Sequence, residues 1–71
     1  MKIIVWFEDE GGHMSKECAD GEVGARPMVG DTIHFEGTST LCIVLRIEIP
    51  VYLPDTNHVG WPDVVVYCKR R

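Results

Sequence analysis

Six side chains in this sequence are of the types that do metal or nucleophilic chemistry: His13, His34, His58, Cys18, Cys42 and Cys68. Zinc sites are built from close ligand pairs such as CxxC or HxxxH on one element. The sequence holds no such pair, and His13 and Cys18 fall together only in a stretch that reads as loop. A cysteine nucleophile needs a histidine within hydrogen-bond reach and surroundings that favour the thiolate. Strand alternation offers one such pair, His34 opposite Cys42 on the outer face of a hairpin, with neither a cleft nor oxyanion donors foreseen around it. These residues argue against an enzyme and call for no metal and no cofactor.

The carboxylates are the second candidate. Glu8, Asp9 and Glu10 are consecutive, with Glu17, Asp20 and Glu22 following. Paired carboxylates can hold calcium or exchange protons. A calcium loop needs oxygens at alternating positions around a glycine, and that pattern is missing. What remains is a solvated loop, or an acidic face that steers and orients a basic partner. An inhibitor that imitates nucleic acid would belong to the second kind.

Aromatic and β-branched residues are the third. Trp6 and Phe7 must point to opposite faces of one strand, so one large ring faces outward unless something covers it. Val64-Val65-Val66-Tyr67 poses the same problem near the other end of the chain. Tyr52 and Trp61 stand in an irregular stretch between them. Trp6, Tyr52, Trp61 and Val65 are therefore the expected contact residues of an interface, and a second copy of the chain is the expected partner.

The elements that position these residues follow from periodicity. Ile3 to Phe7 is a continuous apolar run that reads as a strand. Residues 9–30 carry Gly11, Gly12, Gly21, Gly24 and Gly30 and read as a long loop, with one helical turn over Ser15–Ala19 capped by Ser15. Thr32 to Glu36 alternates polar and apolar, and Gly37-Thr38-Ser39 forms a turn. Thr40 to Ile49 alternates again, and ten residues is long for a strand, which implies a bend or a strand shared by two halves of a barrel. Pairing Phe35 with Leu41 and Ile33 with Ile43 keeps the apolar faces together and sets His34 opposite Cys42. Pro50 and Pro54 end that strand. Residues 50–62 form a second long loop, and Val64 to Cys68 the last strand, because three successive valines disfavour helix.

The chain has 71 residues, enough for a single domain over 1–71. It is 45% hydrophobic and 25% charged, the balance of a globular protein. Lys plus Arg number 7 against 11 Asp plus Glu, a net charge of -4, and Lys69, Arg70 and Arg71 lie at the very end. Nucleic-acid binding needs clustered positive charge and is disfavoured. No segment approaches the ~20 apolar residues of a membrane span. The opening apolar run is too short for a secretion signal and leads into acid, not small residues. An odd set of widely spaced cysteines suits reduced thiols and a cytoplasmic location.

The fold expected is all-β: a small half-open barrel of four to five antiparallel strands with two long loops. One resemblance bears on it. The stretch Arg26-Pro27-Met28-Val29-Gly30-Asp31-Thr32-Ile33-His34-Phe35, a turn, and then Cys42-Ile43-Val44-Leu45-Arg46-Ile47-Glu48 is similar to the corresponding part of small SH3-like barrels, in particular short barrel proteins of phages and integron gene cassettes. The resemblance covers about 25 residues and concerns the fold. It implies an accessory protein of a mobile element and transfers no catalytic residue. The function expected from the residues is a self-associating interaction module. Two alternatives stand beside it: an acidic inhibitor of a basic protein surface, and a small-molecule site between chains.

Overall fold

The computed structural model describes the backbone of residues 1–8 and 14–71, and side chains at 1–8 and 19–71. Among the described residues five strands form one sheet: β1 (Lys2–Glu8), β2 (Met14–Glu22), β3 (Thr32–His34), β4 (Leu41–Glu48) and β5 (Val64–Arg70). Their spatial order is β2-β1-β5-β4-β3. The sheet curls into a small half-open barrel, all-β as the sequence predicts, with β2 and β3 as its free edges. No helix among the described residues is long and apolar enough to cross a membrane.

Three ladders are antiparallel, but β1 and β5 are parallel, with Ile4 beside Val65 and Trp6 beside Tyr67. The antiparallel pairing expected throughout is corrected at this one ladder. Sequence periodicity fixes which side chains share a face and carries no information about the partner of a distant strand. The concave face holds the core, made of Ile3, Val5 and Phe7 from β1, Cys42 and Val44 from β4, and Val64, Val66 and Cys68 from β5. Ala19, Val23, Ile33, Phe35 and Ile47 pack against it from the edges and loops. Phe7 and Phe35 meet with ring centroids 5.7 Å apart.

The stretch expected to be loop with a helical turn at Ser15–Ala19 is strand β2. Its composition (Asp20, Gly21, Glu22) is poor for a strand by propensity alone. It is extended because β1 supplies a ladder partner at every position from Lys2↔Glu22 to Trp6↔Cys18. Tertiary pairing outweighs local preference here.

The hairpin register is also corrected. Thr32 pairs with Ile43, Ile33 with Cys42 and His34 with Leu41, one residue away from the expected alignment. The cause is the turn. Gly37 has φ +81°, so it takes the third position of a four-residue turn over Phe35–Thr38 that is closed by the Thr38 N–H donating to the Phe35 carbonyl at 3.1 Å. Thr38 Oγ1 donates to the same carbonyl at 2.8 Å. A one-residue slip inverts a strand, so Cys42 and Val44 point inward while Leu41 is exposed. Beyond Val44 a bulge inserts Leu45, since Val44 pairs with Cys68 and Arg46 with Tyr67. The bulge inverts the faces again and turns Ile47 back toward the core. β4 has eight residues rather than the ten expected, and the bulge, not its length, is where it bends.

Candidate functional site

Alternation along β1 settles the question posed by Trp6 and Phe7. The odd residues are buried and the even ones half-buried, so Phe7 lies inside and Trp6 outside. On β5, Val64 and Val66 are inside, and Val65 and Tyr67 outside. The convex face at the middle of the sheet is thus an apolar centre of Ile4, Trp6, Val65 and Tyr67, joined by Ile43 of β4. Charged groups surround it. Lys2 and Glu8 stand on the same face of β1, and Lys69 is Glu8's ladder neighbour. The Arg46 guanidinium lies 4.1 Å from the Tyr67 ring centre, the Tyr67 hydroxyl donates to Glu48 Oε2 at 3.0 Å, and Arg46 and Glu48 are 3.6 Å apart. An apolar middle within a charged rim is the anatomy of a protein interface.

Tyr52 and Trp61 belong to a separate cluster. The loop after β4 closes the end of the sheet where β1 and β5 begin. Lys2 N–H donates to the Asp63 carboxylate at 2.8 Å, Asp63 N–H to the Lys2 carbonyl at 2.8 Å, and Lys2 Nζ to the Gly60 carbonyl at 2.5 Å. Gly60, at φ +83°, permits the tight turn from His58 to Trp61. That turn stacks three rings: Tyr52 on His58 at 4.6 Å, and Trp61 edge-on to both at 5.3 Å. The Tyr52 hydroxyl donates to the Pro62 carbonyl. Trp61 remains 52% exposed. The four expected contact residues therefore fall into two pairs, Trp6 with Val65 on the sheet and Tyr52 with Trp61 at its end.

The expected His34–Cys42 pair does not form. His34 is opposite Leu41, on the convex side, and its Nε2 is 2.7 Å from the Thr38 carbonyl. Cys42 is fully buried in the core. No group of three or more metal-ligating side chains occurs among the described residues. Of the expected acidic face, Glu8 is half-buried beside Lys69, and Asp9 and Glu10 lie outside the described residues.

A further exposed apolar patch escaped the sequence reading. Met28, Val29 and Ile49 are each more than half exposed and line a shallow groove of about 370 Å³ with Arg26, Pro27 and Ile47. The signal was present in Met28-Val29 directly after a proline, two large apolar residues in a turn where polar ones are usual.

Cys42 and Cys68 are free, buried thiols. Burial pushes Cys68 up to about 12 from 9.0, with Cys42 adding to the rise. Burial also raises Cys42, while Arg70 opposes that rise. Unfolding releases both thiols to ordinary values, so above pH 9 the unfolded chain loses protons that the folded chain keeps. The stability Cys68 confers is fully present below pH 9 and is lost as pH climbs toward about 12, by up to about 1.4 kcal/mol per pH unit, and Cys42 adds a loss of the same sign. Urea midpoints followed by circular dichroism from neutral to alkaline pH should fall across that window. The Cys68→Ala chain, weaker at neutral pH, should fall less steeply, and equal slopes would refute the assignment.

Compared with protein-family models, curated proteins and solved structures, the chain matches none.

Proposed function

We propose that this protein is a binding module that self-associates through the convex face centred on Trp6, Val65, Ile4 and Tyr67. The observation that carries the reading is the parallel β1–β5 ladder, apolar on both faces, fully buried on one and only half-buried on the other. Parallel ladders are characteristically covered on both sides, because each face is a run of β-branched or aromatic residues that favours leaving water. The chain's own long loop closes the end of the sheet, through Lys2, Gly60 and Asp63, and Ile4, Trp6, Val65 and Tyr67 stay half-buried. A second copy brings an identical apolar centre and charged rim, the self-complementary arrangement of a two-fold dimer. Burying aromatic surface there contributes about 25 cal/mol per Å2 before the costs of association. The resemblance to barrel proteins of phages and integron cassettes supports a place among the accessory proteins of mobile elements.

The test is sedimentation equilibrium across the micromolar range. The expected mass approaches twice that of the chain as concentration rises. A monomer at every concentration overturns the proposal.

A further inference from the structure

The open seam of the barrel is a second feature, independent of the convex face. β2 and β3 border a groove of about 360 Å³ whose floor includes Ile3, Val5, Ala19, Ile33 and Phe35. Among the described residues no Cα of β2 lies within 8 Å of one in β3. Neighbouring strands are about 4.8 Å apart, so the two edges are too distant to pair with each other, and one strand inserted between them would sit about 4.8 Å from each.

The hydrogen-bond phase shows which backbone groups face that gap. Val23 N–H donates to the Met1 carbonyl at 2.9 Å, and the Met1 nitrogen donates to the Val23 carbonyl at 3.0 Å, so positions 1 and 23 form a hydrogen-bonded pair. Bonding alternates along an antiparallel ladder. The amides and carbonyls of Asp20 and Glu22 therefore point away from β1. On the other edge Phe35 N–H donates to the Thr40 carbonyl and Val44 N–H to the Asp31 carbonyl. The same alternation turns the backbone of Thr32 and His34 away from β4. Four residues thus aim their peptide groups into the seam from its two sides.

Side-chain alternation then sets what an inserted strand must carry. Residues that face inward meet Ala19, Ile33 and Phe35. Residues that face outward lie beside Asp20 and Glu22, which share the convex face with Ile4 and Lys2. Glu36 stands at the far rim. The groove's lining includes these three carboxylates and no lysine or arginine; Glu22 is bonded to the Met1 ammonium at 3.2 Å, so Asp20 and Glu36 supply the attraction. Opposite charges on adjacent strands attract and like charges repel.

The geometry points to the seam as a site that captures an extended peptide segment of a partner protein, with Lys or Arg alternating with β-branched apolar residues, by adding it to the sheet between β2 and β3. The segment runs antiparallel to β2, the longer edge. Its backbone bonds supply attachment, its apolar side chains complete the core, and its cations meet the acidic rim.

The probe is a capped seven-residue peptide of alternating lysine and valine, titrated into the isotope-labelled protein and followed by amide NMR. The expected result is shifted and exchange-protected amides at Asp20, Glu22, Thr32 and His34. Replacing the peptide's lysines by glutamates should weaken binding at least tenfold. The Asp20→Lys/Glu36→Lys chain should lose a similar factor while keeping its spectrum, since both positions are exposed. A central proline in the peptide should abolish binding. Equal affinity for the basic and acidic peptides, shifts centred on Trp6 and Val65, or no shift at millimolar peptide would each overturn the proposal. Sedimentation of the unliganded chain reads the convex face separately, so the two proposals stand or fall apart.

Discussion

Replacing Trp6 with lysine should leave a folded chain that no longer associates. Trp6 belongs to the half-buried set of β1, beside Tyr67 and on the opposite face from the core, so its removal opens no cavity around Val5 or Phe7. A tryptophan at the middle of an apolar patch is the kind of residue that dominates binding energy, with losses of about 2 kcal/mol or more on truncation. Lysine adds a charge that a dimer would have to bury. The dissociation constant should rise about 30-fold or more, read by sedimentation beside an unchanged far-ultraviolet spectrum. Trp61→Lys, altering a ring at the end of the sheet, should have a much smaller effect. A Trp6→Lys chain that dimerises like the wild type would remove the convex face from consideration.

The opposite face of the same strand should respond in the opposite way. Phe7→Ala removes a ring that is 5% exposed, contacts Phe35, and lies 4.2 Å beneath the Arg70 guanidinium. Phenylalanine-to-alanine changes in cores cost about 3–5 kcal/mol. Domains of this size hold roughly 4–10 kcal/mol in total. Most of the folded population should be lost, visible as a collapsed thermal transition in circular dichroism. A transition within a few degrees of wild type would mean that the concave core is not the principal source of stability. The two substitutions at neighbouring positions would thus separate association, lost with Trp6, from folding, lost with Phe7.

That Trp6 and Phe7 take opposite faces is legible in the sequence, because two large neighbours on one strand cannot share one; which of them is inside is not. Also legible were the strand at Val64 to Cys68, the outward placement of Val65, and the all-β half-open barrel. The failures have two physical sources. β2 was hidden because its residues are indifferent to extended structure and are held by a partner. The faces of β4 were misassigned because the turn at Gly37 shifts the register by one and the bulge at Leu45 shifts it back, so Leu41 and Ile47, which look equivalent in the alternation, lie on opposite sides. The supposed His34–Cys42 pair vanished with the same slip. Tyr52 and Trp61 were recognised as aromatic candidates, but their union with His58 depends on a turn whose closure no periodicity reports.

The placement of β5 between β1 and β4 governs when the molecule can assemble. β1 finds its central neighbour β5 only when the more than fifty residues between them have been synthesised. Until then β1 and β2 are a lone two-stranded ribbon, which water unravels readily. Contacts this distant along the chain make folding slow. During synthesis β1 therefore keeps its core-facing Ile3, Val5 and Phe7 without their central partner until β5 has emerged.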